Sequence, residues 1–183
     1  MGLQLGILMV GTVVILWVSR FNILQIRQHG FYRMLAWEAI LIAFVNNMPY
    51  WFVEPFSFSQ LIAWSLLILS LVLILIGVRA FRQEGAIDPQ RPDQGLVGIE
   101  KTTQLVTSGI FGLIRHPFYA SLLFLSWGIL FKNITLISIL LALLASIFLF
   151  ITARIEEGEN AEYFGEPYRE YMKTTKMFIP FVI

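Results

Sequence analysis

The stretch Ile134–Ala153, "ITLISILLALLASIFLFITA", runs straight into Arg154–Phe164, "RIEEGENAEYF", and its reading decides the fold. It holds twenty residues without a charged side chain, about what a helix needs to cross a hydrocarbon core. Working outward, Met1–Val18 and Ser59–Val78 are equally uncharged, and Met34–Val53 carries only Glu38, with Asn46, Asn47 and Pro49 further along. Phe118–Phe131 is apolar but short, and Lys132-Asn133 reads as a tight turn joining it to the next segment in a helical hairpin. The expectation is an all-α integral membrane protein of about five transmembrane helices, the last two a hairpin. The fourth segment either spans or re-enters.

Composition agrees. The chain has 183 residues, 57% hydrophobic and 14% charged, more apolar surface than one soluble core needs. The first segment lacks a basic leading region and a small-residue cleavage pattern before Arg20, so it reads as a span rather than a signal peptide. The absence of cysteine excludes a disulfide framework, thiolate zinc sites and a cysteine nucleophile, and His29 and His116 are too few for a histidine metal cluster. A net charge of +1, with no basic helix interleaved with aromatics, excludes nucleic acid as a partner. Gly109-Ile110-Phe111-Gly112 lacks the strand–turn–helix frame of a nucleotide-binding fingerprint.

The basic residues set an orientation. With five spans, Arg20, Arg27, Arg33, Arg79, Arg82, Arg91, Lys101, Arg115, Arg154, Arg169, Lys173 and Lys176 fall on one side and Lys132 alone on the other. The positive-inside rule then puts the N-terminus outside and the C-terminus in the cytoplasm. The long cytoplasmic connection, Arg79–His116, exceeds what joining two spans requires. Its first half is rich in Pro, Gly and Asp, as a mobile lid would be, while "TTQLVTSGIFGLI" suits packing on something. The division that follows is 1–102, three spans and the mobile loop, and 103–183, the remaining loop, hairpin and amphipathic tail, all in a single membrane domain.

Polar residues gather at the cytoplasmic ends. Arg115-His116-Pro117 reads blandly as a helix start, with proline in the first turn and arginine at headgroup depth. It also puts His116 and Tyr119 on one helical face, where both can donate and accept hydrogen bonds. Glu156-Glu157 lies at the end of a membrane helix, where the macrodipole disfavours anions. The pair is either a solvated end offset by Arg154 or a carboxylate site serving a cation. In a hairpin, His116 and Glu156 become neighbours. The tail aromatics Tyr163, Phe164, Tyr168 and Tyr171 form either an interfacial helix or the roof of a pocket, and the two are compatible. Glu38, a carboxylate inside an apolar segment, is by default a functional candidate, while Arg33 five residues earlier favours an interfacial ion pair.

From about Thr103 to Pro180 the sequence resembles the isoprenylcysteine carboxyl methyltransferase family, and more loosely the membrane phospholipid methyltransferases. The resemblance is carried, in order, by "QLVTSGIFGLIRHPFY", a helical hairpin, and "EEGENAEYFGEPYREYMKTTKMFIP". It implies methyl transfer from S-adenosylmethionine, giving S-adenosylhomocysteine, to a lipophilic small-molecule or lipidated acceptor such as a prenylcysteine carboxylate entering from the bilayer. The implied cofactor pocket is cytoplasmic, formed by the long loop and the tail. Carried over by position, its contacts fall on Thr103, Gln104, Leu105, Val106, Phe111, His116, Pro117, Phe118, Tyr119 and Glu156. Arg115 and Glu157 are candidate catalytic residues, the first to hold an anionic acceptor, the second as a general base. The family's substrate-contacting arginine falls near Thr152, making Arg154 the nearest substrate-binding candidate. Ser121 stands where the family usually has glycine, and Asn160 where it commonly has leucine. Membrane sterol and enone reductases, which use NADPH, share a related C-terminal pattern, and a non-enzymatic scaffold is the third reading.

Overall fold

A computed structural model describes residues 2–86 and 101–180. Among the described residues six α-helices follow one another: α1 (Gly2–Val18), α2 (His29–Asn47), α3 (Phe58–Glu84), α4 (Pro117–Leu130), α5 (Leu136–Phe164) and α6 (Glu166–Thr174). Short 3₁₀ turns occupy Met48–Tyr50 and Gly109–Gly112. No strand occurs among the described residues; the one extended pairing is an isolated bridge between Ile114 and Lys176. The Pro-, Gly- and Asp-rich half of the long connection, 87–100, lies outside the described residues.

Local chemistry explains the boundaries. Pro49 helps turn the end of the second apolar segment into a 3₁₀ turn after Asn47. Pro117 starts α4, and the Thr135 hydroxyl caps α5 by accepting from the Ser138 amide at 3.2 Å. The helix α5 does not stop where its apolar run stops. It continues through "RIEEGENAEYF" to Phe164, so the acidic cluster sits on regular helix. Gly165, at φ 69° and ψ −141°, breaks the chain there and re-aims it into α6, with Pro167 in the new first turn.

Two helices, α3 with 27 residues and α5 with 29, are long and apolar enough to cross a membrane. The apolar helices α1 and α4 are shorter, 17 and 14 residues, about 25 and 21 Å at 1.5 Å per residue. In the bundle α2 packs on α5, α3 on α4, α4 on α5, and α1 on α2. Small residues bring α2 and α5 together: Ala36 clusters with Leu149 and Ala153, and Ala39 and Ala43 with Ala145, all buried. That is how membrane helices associate, since lipid offers no hydrophobic drive and close packing must supply the attraction. Gly128 serves α3–α4 similarly; an added methyl there would come within 3.0 Å of Leu67. The outer faces stay apolar and exposed, among them Met9, Val13, Ile68, Leu71, Leu75, Leu140, Leu144 and Ile147.

Some buried polar groups are tied across the bundle. Glu38 of α2 accepts from Thr12 Oγ1 of α1 at 3.1 Å. At the α4–α5 turn, Lys132 is buried, its Nζ 2.9 Å from Gln60 Oε1 and 3.3 Å over the Trp64 ring. Nearby, Asn47 donates to the Ile129 carbonyl at 2.8 Å and accepts from Ser138 Oγ at 3.1 Å. These ties hold the α2, α3, α4 and α5 ends together opposite the acidic cluster.

Candidate functional site

The chain between the second 3₁₀ turn and α4 is pinned to the segment after α6. Arg115 N–H donates to the Lys176 carbonyl at 2.8 Å, His116 N–H to Met177 at 3.1 Å, and Lys176 N–H to Leu113 at 3.2 Å. This clasp brings residues some sixty positions apart to one edge. Above it opens a cleft lined by Phe81, Thr102, Leu105, Val106, Phe111, Arg115, His116, Glu156, Asn160, Phe164, Tyr168 and Tyr171. Its enclosed part is about 60 Å³, smaller than the roughly 300–1,000 Å³ of small-molecule sites. A second, smaller recess adjoins it, walled by Phe81, Phe111, Phe118 and Tyr119 and sharing Arg115, His116 and Glu156.

The acidic cluster divides by helical geometry. Successive residues on α5 point about 100° apart, and three carboxylates take three directions. Glu156 faces the cleft, where Tyr119 Oη donates to its Oε2 and His116 Nδ1 lies 3.9 Å away. Glu157 turns inward to Arg115, accepting from Nε at 2.7 Å and lying 2.6 Å from Nη2. Both side chains are nearly buried, 10% and 6% exposed. Glu159 reaches back to the start of α2, accepting from the His29 amide at 3.2 Å and meeting His29 Nδ1 at 2.5 Å. Burial alone would lower the His29 pKa, but the Glu159 hydrogen bond, helped by the Glu156 charge, leaves it raised above the ordinary imidazole value.

Arg115 has little left to give. Its Nη1 donates to the Met172 carbonyl at 3.2 Å and also to the Thr175 carbonyl, while Nε and Nη2 hold Glu157. The His116 ring stacks on Tyr119, centroids 5.4 Å apart, and tilts against Phe178 at 6.1 Å. Aromatic walls close the cleft: Phe81 stacks on Phe111 at 4.8 Å, and Phe164 on Tyr168 at 6.3 Å. Tyr171 Oη donates to the Phe111 carbonyl at 2.6 Å, tying α6 over the loop. Burial, reinforced at Tyr168 by the Glu156 charge, pushes both tail phenols well up, so they stay neutral donors.

The candidate residues distribute unevenly. Leu105, Val106, Phe111, Arg115, His116 and Glu156 line the main cleft, and Phe118 and Tyr119 the recess. Pro117 is buried at the helix start, and Glu157 lies behind the wall. Thr103 and Gln104 are exposed beside the cleft, their amides on the Gly85 carbonyl at 3.1 and 3.3 Å. Arg154 is 63% exposed and reaches Glu157 Oε2 at 3.3 Å from outside. Phe81, Thr102 and Asn160 line the cleft without having been candidates. Asn160 had a signal, four residues after Glu156 on the same helical face; Phe81 had none, being one apolar residue at the end of a long apolar helix.

Residues 94–162 match the model of the isoprenylcysteine carboxyl methyltransferase family. A methanethiol S-methyltransferase of Pseudomonas deceptionensis is 30% identical over 123 residues, 65% of this chain and 42% of that protein. Its counterpart in a Pseudomonas strain is 28% identical over 142 residues, 72% of this chain and 50% of that one. Protein-S-isoprenylcysteine O-methyltransferase B of Arabidopsis thaliana is 26% identical over 153 residues, covering 81% of this chain and 70% of the plant protein. The chain thus spans half or less of the bacterial relatives' length. No solved structure matches it. Over residues 94–162, which include α4, most of α5 and Glu156, and by its likeness to the plant protein, the chain is similar to the isoprenylcysteine carboxyl methyltransferase family.

Proposed function

We infer that this protein transfers a methyl group from S-adenosylmethionine to a lipophilic acceptor at the membrane surface. The observation that carries the reading is Glu156. It is a carboxylate on the wall of an aromatic cleft, held by the Tyr119 hydroxyl, with the His116 ring 3.9 Å away. A donor that carries an ammonium group, a flat base and a sulfonium fits such a wall. Glu156 would take the ammonium, and Phe81, Phe111, Phe164 and Tyr168 are the surfaces on which the base would stack. Bound there, the donor supplies an electrophilic methyl group.

The chain's own contribution is placement. Methyl transfer needs donor and acceptor in line at about 3–3.5 Å with water kept out. Clasp, roof and recess are suited to that task, the recess opening beside the α3–α4 contact from which an acceptor in the bilayer would come. Two acceptor chemistries are named among the relatives, a thiol sulfur and a prenylcysteine carboxylate oxygen. The same reading takes the chain as one membrane domain with five crossings, the N-terminus outside, and the cleft and C-terminus cytoplasmic.

Calorimetry in detergent tests the donor: S-adenosylmethionine and S-adenosylhomocysteine should bind and NADPH should not. Binding of NADPH instead would move the chain to the reductase reading. Reporter fusions at both termini test the orientation, and an outward-reporting C-terminus would overturn it.

A further inference from the structure

The methyl donor assigned to the cleft carries a carboxylate on the same carbon as its ammonium group, so the two charges must be received side by side. With Glu156 taking the ammonium, the wall next to it has to offer N–H or O–H groups, because an anion left unpaired beside Glu156 would be repelled. The polar side chains of the cleft narrow the choice. Arg115 spends its guanidinium on Glu157 and on the Met172 and Thr175 carbonyls. His116 is turned to the two glutamates, 3.9 Å from Glu156 and 3.6 Å from Glu157. Tyr171 Oη donates to the Phe111 carbonyl at 2.6 Å, and the Thr102 methyl group lies against Gly85 at the end of α3. Among the described residues that line the cleft, Asn160 and Tyr168 remain.

These two residues sit where a second charge would fall. Asn160 follows Glu156 by four positions, about 6 Å further along the same face of α5, and both line the cleft. Tyr168 reaches that wall from α6, 3% exposed, its ring stacked on Phe164 at 6.3 Å and edge-on to Tyr171 at 5.7 Å. The Asn160 amide hydrogen-bonds the Tyr168 hydroxyl, and the Glu156 charge acts on the same phenol, so Glu156, Asn160 and Tyr168 share one corner of the cleft. An asparagine amide has two N–H groups to donate and a neutral phenol has one O–H. With one amide N–H on the phenol oxygen, the other amide N–H and the phenol O–H are left for a ligand. Burial keeps the phenol neutral, so it donates to an anion rather than repelling it.

We propose that Asn160 and Tyr168 form the subsite for the carboxylate of the methyl donor, beside Glu156, which takes its ammonium. The inference rests on the methyl-transfer reading above. It makes Asn160 a specificity residue, favouring a donor with an intact amino-acid end over one that has lost the carboxylate. Leucine at this position would fill similar space and offer no N–H. Because one hydrogen-bond donor comes from α5 and the other from α6, the bound carboxylate also ties the roof of the cleft to its wall.

Calorimetry on the full chain in lipid nanodiscs compares S-adenosylhomocysteine with its decarboxylated analogue, which keeps the ammonium group, the sulfur and the nucleoside. The parent should bind S-adenosylhomocysteine about 10- to 100-fold more tightly than the analogue, the range for hydrogen bonds to a charged group. Asn160→Leu should weaken S-adenosylhomocysteine by about tenfold or more and bind the analogue within about threefold of the parent, so that the preference collapses. Asn160→Asp keeps the shape and puts an anion in place of the amide. It should cost S-adenosylhomocysteine more than Asn160→Leu does, while the analogue binds at least as tightly as it does to the parent. Equal binding of the two ligands by the parent overturns the subsite and leaves the methyl-transfer reading standing. An equal loss of both ligands in Asn160→Leu or in Asn160→Asp does the same, and makes Asn160 a brace for α6 rather than a contact. Binding of neither ligand by the parent removes both the subsite and the methyl-transfer reading.

Discussion

Replacing each of the adjacent glutamates by glutamine should produce two different defects. Glu157 and Arg115 are 6% and 10% exposed, paired at 2.6 and 2.7 Å. Removing one partner of a buried pair costs about 3–5 kcal/mol, because the other charge stays buried uncompensated. Glutamine keeps an acceptor oxygen, and Arg115 keeps its two carbonyls, so about 3 kcal/mol is the expected loss for Glu157→Gln. The exposed Arg154 contact adds little, about 0–1 kcal/mol. At about 2–4 °C per kcal/mol for a chain of this size, the midpoint should fall by about 6–12 °C. Glu156→Gln leaves no such orphan, since its partners are a phenol and a ring 3.9 Å away. It should melt within about 2 °C of the parent, a cost under about 1 kcal/mol. It should also bind S-adenosylmethionine with about 1.5–3 kcal/mol less free energy, the range for hydrogen bonds to charged groups, or roughly ten- to hundredfold weaker. Thermal unfolding in detergent and calorimetry of donor binding, both run on both variants, decide it. Glu157→Gln melting like the parent while losing donor would place that carboxylate in the cleft and refute the division of roles.

The His29–Glu159 contact makes stability depend on pH. With the His29 pKa raised in the folded state, its contribution is complete below about 6.5, the unfolded value. It is lost as pH climbs through the folded value, so the parent should lose more melting temperature than His29→Asn between pH 6 and 8; parallel curves would remove the linkage. At the opposite end, Gln60→Leu strips Lys132 of its closest acceptor and should cost about 2–3 kcal/mol, as for an unpaired buried polar group. Lys132→Met, which removes the charge as well, should cost less, and equal losses in chemical denaturation would show the ammonium itself to be the stabilising group. Gly165→Ala forces a side chain into a left-handed backbone at φ 69°, a strain of about 1–3 kcal/mol. Because that turn aims α6, donor affinity should fall along with stability; a drop in stability alone would mean α6 does not roof the site.

Much was legible in the residues alone because the determinants are local. A bilayer-length run without charge and a proline at the start of α4 each fix a helix or its start within a few positions, by backbone hydrogen bonding and sterics. The ordered motifs around Arg115–Tyr119 and Glu156 also placed the two halves of the site at one end of the hairpin. Tertiary structure alone decided which charge meets which. Whether Glu156 or Glu157 faces the cleft depends on the rotation of α5 against α2 and α4, and a rotation of about 100° exchanges them. That rotation is set by the alanine contacts earlier along the same face of α5, where no charge is involved. Arg115 is engaged because a chain segment sixty residues later presents its carbonyls, and Glu159 meets a histidine 130 positions earlier. Thr103 and Gln104 turn outward because their amides are taken by Gly85 at the end of α3. A sequence spells out which groups must be paired once water is excluded, whereas only the packed bundle assigns the partners, since pairing energies depend on distances between residues that the chain's order does not constrain.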